Sequence, residues 1–285
     1  RLAQAPGPTP NDPLAPTDAL PIEEKYLPQL ISGEWTGTMN LRERQAGSDV
    51  GAVSTKAEPN GDVTYSATGG SDWKARAALL TPIAKAFGTD IGNEVAGMGI
   101  QVHGGMGFVE ETGAAQYFRD ARITTIYEGT TGIQALDLVG RKTLRDAGRA
   151  QAELLADMRA DVEALAEAGP ELDEVHAALV KGLNAHEQAV EYLLGQFQDD
   201  HDLPGSAAFN MLMLMGTVAG GWQMGRAALR ARQALDRGED GDGFYRTKLT
   251  TARFYARHIM PRAQAYLGAA LAGSEDVMSL SEAEF

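Results

Sequence analysis

One carboxylate, Glu128, stands in a glycine- and threonine-rich segment, IYEGTTGIQ, that spans residues 126–134. The segment predicts a turn that opens a helix near Thr131, which leaves the backbone N–H groups of Glu128 to Thr130 free to bind a carbonyl oxygen or a phosphate. A carboxylate held beside such donors can abstract a proton. Glutamate is also common in the first turn of ordinary helices, and spacing alone favours that plainer interpretation.

A second glycine-rich turn, QVHGGMGF, occupies residues 101–108. Its adjacent glycines allow a backbone to approach a ligand closely, and Gln101 and His103 add hydrogen-bond donors. A helix C-cap explains the same glycines equally well. The segment is not a dinucleotide-binding fingerprint, because no strand–helix–strand unit surrounds it. Together the two turns suit proton abstraction beside a bound anionic cofactor.

Two further polar segments give weaker indications of a functional site. Gly47, Ser48 and Asp49, in the run QAGSD, could form an anion-binding nest of backbone amides, although a plain turn is the stronger interpretation. The run RDAR, at 119–122, is typical of a solvated or salt-bridged helix face. The histidines lack the HxxxH and HExxH spacings and no GxSxG motif occurs, which argues against a metal site and a serine nucleophile.

Composition limits the classes of partner. The 285 residues carry a net charge of −14, with a pI near 4.8, which argues against nucleic-acid binding because phosphate recognition needs a basic surface. The lack of cysteine excludes disulfides and thiolate chemistry and fits a cytoplasmic protein. No secretory signal is evident, and the apolar run at 211–222 predicts a buried helix rather than a transmembrane segment. The first residue is Arg rather than Met, which suggests a fragment or a processed chain.

The elements that must position these turns are mostly helices. Residues 1–22 are rich in Pro, Ala and Asp and predict a disordered segment. Residues 23–33 predict a short helix, and β character begins at Trp35, with a hairpin turn at Pro59–Asp62. About three strands are too few for an independently stable β domain. From residue 71 onward the apolar spacing predicts helices at 73–87, 90–102, 111–121, 131–145, 149–168, 171–199, 205–237 and 243–273.

Glycines repeat at a spacing of four in the long helix predicted at 205–237. The pairs are Gly216/Gly220 and Gly221/Gly225. Such pairs indicate close helix packing rather than ligand binding, because the missing side chains let neighbouring helices approach.

The ordered series GGMG, RDAR and YEGT is far more specific than any of its members. The run from about 79 to 143 resembles the C-terminal helical domain of the acyl-CoA dehydrogenase family of flavoproteins. Residues 26–69 are similar to the start of the middle β domain of that family. The helical tail after about 145 resembles the extra C-terminal domain of longer bacterial members, including methylmercaptopropionyl-CoA dehydrogenase-like enzymes.

The resemblance implies a mainly α fold, a helical bundle with a small remnant of a β domain. Its implied divisions are a disordered N-terminal segment, a partial middle β domain, a helical flavin-binding catalytic domain and an additional helical domain. They correspond to residues 1–22, 23–70, 71–145 and 146–285.

The resemblance also implies a function. Glu128 would remove the α-proton of an acyl-CoA thioester while the β-hydrogen leaves as hydride to FAD, and the backbone N–H of Glu128 would polarise the thioester carbonyl. Ser48 and Gly129 would contact the substrate. The implied FAD contacts are Gly47, Ser48, Gln101, Val102, His103, Gly104, Gly105, Thr130, Thr131 and Gly132. Electron-transfer flavoprotein as acceptor and a homodimer or larger oligomer are further family expectations, with no metal.

Two departures from the family pattern define an alternative. Arg42, Glu43 and Arg44 stand where the family has Thr-Glu-Pro, and the arginine replaces a threonine that bonds the flavin. The chain also passes from the hairpin directly to the helix at 73, so most of the β domain and two helices of the bundle are missing. We therefore expect an internally deleted acyl-CoA dehydrogenase. The alternative is a catalytically silent, flavin-free helical assembly module derived from that family.

Overall fold

The computed structural model of the chain describes residues 71–277 and 279–284. The chain divides into two units, Arg1–Thr68 and Gly69–Phe285, and the second is described below. The predictions of a disordered segment, of a short helix at 23–33, of β strands, and of ligand contacts at Gly47 and Ser48 lie outside the described residues.

Helices account for nearly all of the described chain. They are α1 (Ser71–His103), α2 (Gly105–Phe108), α3 (Ala114–Thr124), α4 (Thr131–Leu136), α5 (Arg149–Ala166), α6 (Asp173–Gln196), α7 (Leu203–Asp236), α8 (Phe244–Phe254) and α9 (Arg262–Ala270). Short 3₁₀ turns lie at Glu110–Thr112, Leu144–Asp146, Pro170–Leu172 and Glu282–Glu284, and π-helical turns at Asp137–Arg141 and Tyr255–Ile259. No strand occurs among these residues, and the prediction of a mainly α bundle is confirmed.

The long helix α7 forms the centre of the bundle. Residues 211–218 are all buried, and α7 packs against α1, α4, α5, α6, α8 and α9. By length and hydropathy α7 could also cross a membrane, but 61% of its most apolar window is buried inside the bundle. The burial of residues 211–218 agrees with the prediction that the apolar run at 211–222 forms a buried helix.

Glycines on α7 allow this dense packing. A Cβ on Gly216 would collide with the ring of Phe87 on α1, and one on Gly221 would collide with Met260. The paired glycines Gly220 and Gly225 are equally crowded. The prediction that these four glycines permit close helix approach is therefore confirmed.

Helix α1 is longer than the sequence predicts. The expected break between 87 and 90 does not occur, and one helix runs from Ser71 to His103. The Thr89 hydroxyl donates to the Ala86 carbonyl at 3.1 Å, so its side chain bonds within the helix instead of ending it. Ala86 is fully buried in the shared core, and this packing outweighs the low helix propensity of Gly88.

Two other predicted helices are interrupted. The helix expected at 131–145 changes to a π-helical turn after Leu136, and the helix expected at 243–273 changes after Phe254. In the second case Pro261 follows closely, and proline cannot donate the backbone hydrogen bond that an uninterrupted helix requires.

A single hydrophobic core contains residues from both 71–145 and 146–285. A buried polar chain also crosses between these stretches. Gln151 donates through Nε2 to the Thr143 hydroxyl at 3.0 Å, and its Oε1 lies 2.9 Å from His186 Nε2. The division of 71–285 into two domains stays a prediction.

Candidate active site

The turn predicted to carry chemistry joins α3 to α4. Glu128 has a φ of 52° and Gly129 a φ of 90°, so both residues adopt left-handed backbone conformations. Glycine accepts this conformation freely, whereas for glutamate it costs about 1–2 kcal/mol. Neighbouring groups must therefore hold the turn in place.

Two side chains from different helices hold the carbonyl groups of this turn. Lys85 on α1 donates from Nζ to the Gly129 carbonyl oxygen at 2.6 Å. Gln134 on α4 donates from Nε2 to the Glu128 carbonyl oxygen at 3.0 Å. Lys85 Nζ also lies 5.9 Å from the centroid of the Tyr127 ring, within the range of a cation–π contact.

The start of α4 is fixed by two threonines. The Thr130 hydroxyl oxygen caps the helix by accepting from the Ile133 amide at 3.4 Å. The Thr131 amide donates to the Thr125 carbonyl at 3.2 Å, and the Thr131 hydroxyl donates to Asp90 Oδ2 at 2.7 Å. Helix α4 begins at Thr131, which confirms the predicted helix start.

The turn leaves backbone donors unused. Among the residues that the structure describes, no acceptor pairs with the N–H groups of Glu128, Gly129 or Thr130. The Glu128 side chain is half-buried beside them. A carboxylate next to unpaired backbone donors can act as a base toward an acid whose anion those donors stabilise.

An open groove of about 290 Å³ lies beside the turn. It is lined by Asp90, Arg122, Thr125, Ile126, Thr130, Thr131, Gly132 and Phe209. Three of the predicted cofactor contacts, residues 130–132, therefore share one groove. Arg122 belongs to the RDAR run that the sequence assigns to a charged helix face, whereas Arg119 of that run pairs with Glu110 at 3.4 Å on the exposed surface.

The second predicted cofactor segment lies elsewhere. Residues 101–105 are all exposed, at the end of α1 and just beyond it, and the helical rise puts Gln101 about 24 Å along the axis from Lys85. None of them lines the groove. A Cβ on Gly104 or Gly105 would meet nothing within 4 Å, so neither glycine supports a close approach within the described chain.

The glycine that packing does require in this segment is Gly107. It is buried, and a Cβ there would collide with the backbone of Ile100. Helix α1 ends at His103, and the Gly104 N–H donates to the Gln101 carbonyl at 3.0 Å. Gly104 has a φ of 60° and a ψ of −141°, a conformation that favours glycine but differs from the left-handed helical state of a usual glycine C-cap.

The groove presents one positive and one negative side chain, Arg122 and Asp90, together with threonine hydroxyl groups, a set that suits a ligand with both polar and charged parts, such as FAD. The Thr130 oxygen is used in capping, but its hydroxyl hydrogen has no acceptor among the described residues, and Arg122 supplies positive charge. The Thr131 hydroxyl hydrogen is committed to Asp90, so Thr131 can only accept. Residues 101–105 have no role in the buried core, which leaves their polar groups available.

Sequence reasoning missed the residues that hold the turn. Lys85 and Asp90 lie more than forty positions before the groups they bind, so nothing local connects them. The one available signal is that Lys85 is the only charged residue in the run LLTPIAKAF. Gln134 lies within the quoted motif but has no distinguishing feature in the sequence.

Two family models match this chain in succession. The model for the acyl-CoA dehydrogenase C-terminal domain matches residues 52–144, and the model described as acetyl-CoA dehydrogenase C-terminal like matches residues 154–281. The chain belongs to the acyl-CoA dehydrogenase family.

Two curated relatives show how much of such a protein is present. The chain is 42% identical over 188 residues to 3-methylmercaptopropionyl-CoA dehydrogenase of Ruegeria pomeroyi, covering 66% of this chain and 32% of the relative. It is 34% identical over 215 residues to the broad-specificity linear acyl-CoA dehydrogenase FadE5 of Mycobacterium tuberculosis, covering 73% of this chain and 35% of that relative. The chain thus spans about a third of the length of these acyl-CoA dehydrogenases.

A solved structure supports the fold. The acyl-CoA dehydrogenase from Bacillus anthracis, crystallised in complex with FAD, matches with a TM-score of 0.52 and 21% sequence identity. The match covers 67% of this chain and 32% of that one. At this identity the likeness extends to the helical fold alone.

Proposed function

We propose that this chain supplies the catalytic helical region of an FAD-dependent acyl-CoA dehydrogenase, with Glu128 as the base that removes the α-proton of an acyl-CoA thioester. The observation that carries the proposal is the left-handed turn at Glu128 and Gly129, which sets a half-buried carboxylate beside unpaired backbone N–H groups. Membership of the acyl-CoA dehydrogenase family supports it.

The chemistry follows from the two kinds of group in the turn. Removal of an α-proton moves negative charge onto the thioester carbonyl oxygen. The N–H of Glu128 can donate to that oxygen, which acidifies the proton that the Glu128 carboxylate accepts. FAD, when bound, supplies the acceptor for the hydride that leaves the β-carbon.

The residues that would hold these ligands lie in two places. Gly129 faces the substrate in this proposal. Residues 130–132 and Arg122 would bind FAD at the groove, whereas residues 101–105 would reach the FAD of a neighbouring subunit in a homodimer or larger oligomer. Electron-transfer flavoprotein would accept the electrons, in the cytoplasm.

A Glu128→Gln variant tests the assigned base. We expect it to keep any flavin that the wild-type chain binds, because the amide preserves the shape of the side chain. The rate of acyl-CoA oxidation with an artificial electron acceptor should fall by roughly 10²- to 10⁴-fold. Flavin content is read from the visible absorbance spectrum.

A matched control removes a carboxylate elsewhere. Glu111 is exposed in the 3₁₀ turn before α3, and Glu111→Gln should leave the rate unchanged. Full turnover by the Glu128→Gln variant would show that another residue is the base.

One observation favours a catalytically silent assembly module as the second candidate. Large apolar side chains are exposed between residues 95 and 136, and Val102, Phe108 and Tyr117 expose 84%, 81% and 76% of their surface. Exposed apolar patches of this kind mark interaction surfaces. Flavin-free protein that forms a stable helical oligomer in sedimentation measurements would support this candidate over the dehydrogenase.

A further inference from the structure

Three polar side chains on α1 reach the segment 121–131, which contains the end of α3, the Glu128 turn and the start of α4. Lys85 binds the Gly129 carbonyl, Asp90 accepts from Thr131, and Asn93 donates to the Ala121 carbonyl at 3.0 Å. This segment thus touches a continuous, rigid helix at successive points. Of the three groups that α1 binds, the Gly129 carbonyl, held by Lys85, is the nearest to Glu128 in sequence.

The Lys85 ammonium group has been partly removed from water. Burial lowers the pKa of Lys85, whereas the charges of Asp90 and Glu128 act to raise it. The bond to the Gly129 carbonyl is the hydrogen bond that Lys85 makes among the described residues. A hydrogen bond from a charged donor is roughly twice as strong as one between neutral groups, so this contact can offset part of the cost of burial.

Peptide geometry links this contact to the free donors of the turn. In a trans peptide the carbonyl of one residue and the N–H of the next point in opposite directions. Binding of the Gly129 carbonyl by Lys85 therefore turns the Thr130 N–H away from Lys85. Binding of the Glu128 carbonyl by Gln134 turns the Gly129 N–H away from that side chain in the same manner.

We propose that Lys85 is a positioning residue: its ammonium group holds the Gly129 carbonyl and thereby keeps the Glu128–Gly129 turn in its left-handed conformation, with the Thr130 N–H facing away from Lys85. The catalytic consequence rests on the proposed dehydrogenase function. The conformational role does not, because it depends only on contacts within the chain.

The conformational role is tested by amide hydrogen exchange in the chain without any ligand. The Thr131 amide reports on the turn, because its bond to the Thr125 carbonyl closes the turn. In a Lys85→Met variant we expect this amide to exchange on the order of tenfold faster or more. The Ala152 amide, bonded to the Gly148 carbonyl at the start of α5, should be unaffected.

Three further variants make the result specific. Lys85→Arg keeps a charged donor and should restore most of the protection, and Lys85→Gln gives a second, polar substitution if the methionine variant fails to fold. Lys181 is exposed on α6, so Lys181→Met is the matched control and should change neither amide. Unchanged exchange at Thr131 in both neutral Lys85 variants, or equal acceleration at Thr131 and Ala152, would overturn the positioning role.

Kinetics then separate the two proposals. If the chain turns over acyl-CoA, Lys85→Met should lower kcat by about ten- to a hundredfold and leave KM nearly unchanged, because the disturbed turn misplaces the base and the N–H donor, which both act mainly in the transition state. A kcat equal to wild type would overturn the catalytic consequence. Faster exchange at Thr131 with no turnover in any variant, including wild type, would support the positioning role and count against the dehydrogenase.

Discussion

Two residues other than glycine have positive φ values within the described chain, and their surroundings differ. Ala147, with a φ of 54°, is exposed in the link before α5, and its N–H donates to the Leu144 carbonyl three residues earlier. Glu128 is half-buried, its carbonyl accepts from Gln134 on α4, and the carbonyl of the adjacent Gly129 accepts from Lys85 on α1. Strain that is fixed from two sides is typical of functional positions, which sets Glu128 apart from an ordinary turn residue.

His186 is the most deeply buried titratable residue in the bundle. Its side chain is fully enclosed, Nε2 contacts Gln151, and Nδ1 has no hydrogen-bond partner in the described structure. Burial lowers the pKa of His186 from 6.5 to about 4. The ring is therefore neutral at physiological pH, with Nε2 donating to the Gln151 oxygen.

The bundle should lose stability in acid partly through His186. In the unfolded chain His186 binds a proton below about pH 6.5, whereas in the folded chain it stays neutral down to about pH 4. The stability that neutral His186 contributes is therefore complete above pH 6.5 and is lost as the pH falls toward 4. It amounts to about 3 kcal/mol, at 1.36 kcal/mol per pKa unit. Urea unfolding at several pH values measures it.

A His186→Gln variant should show a flatter dependence of unfolding free energy on pH between 6.5 and 4. His103 is exposed, and His103→Gln should behave like wild type. An identical pH dependence in wild type and His186→Gln would mean that His186 titrates normally in the fold.

Sequence alone could identify Glu128 but not the residues that hold it. The motif is local, so the ordered series GGMG, RDAR and YEGT was sufficient to single out the turn. Lys85 acts across 44 positions through the packing of α1 on the α3–α4 connection. Such a contact follows only from the tertiary arrangement, which no local pattern encodes.

Among the elements, helix α7 needs glycine residues to let the neighbouring helices pack closely against it. Gly216→Ala adds a methyl group that meets the inner atoms of the Phe87 ring, and these cannot move aside as the end of a flexible chain can. Overpacking lowers the unfolding free energy by about 1–3 kcal/mol, whereas the better helix propensity of alanine raises it by about 1 kcal/mol. We expect a net loss of up to about 2 kcal/mol in unfolding free energy, measured by chemical denaturation.

Gly268 on α9 provides the matched control. It is helical and exposed, and a Cβ there would meet nothing within 4 Å. Gly268→Ala should therefore stabilise the chain by up to about 1 kcal/mol through helix propensity alone. Stabilisation of equal size by both substitutions would contradict the close approach of α7 to α1.

The existence of most helices could be predicted, but several boundaries could not. Apolar spacing identifies the helices of the bundle, because it directly reflects which face is buried. Gly88 and Thr89 are ordinary break signals, yet α1 continues through them because Ala86 and Phe87 pack on the core. Local propensity cannot anticipate such packing.

At the scale of the whole molecule, one ion pair joins the first long helix to the last. Arg262 on α9 binds Glu94 on α1 through two hydrogen bonds, of 2.7 and 2.6 Å. The hydrogen bond from Arg262 lowers the pKa of Glu94. About a third of each side chain is exposed, so solvent weakens the pair without removing it.

A double-mutant cycle with Glu94→Gln and Arg262→Met should give a coupling of about 1 kcal/mol in unfolding free energy. The pair Glu174 and Arg257 has the same two-bond geometry but is more than half exposed. The corresponding cycle there should give a coupling within experimental error. Equal coupling for the two pairs would show that burial of the first pair has no energetic consequence.

Because the backbone at Glu128 is left-handed, selection for stability and selection for activity favour different residues at this position. Glycine would relieve the strain at this position, so a population selected only for folding would drift away from glutamate there. If Glu128 is the base of the proposed function, selection for activity would retain glutamate at this position. The identity of residue 128 in variants of this chain is therefore a record of whether activity has been under selection.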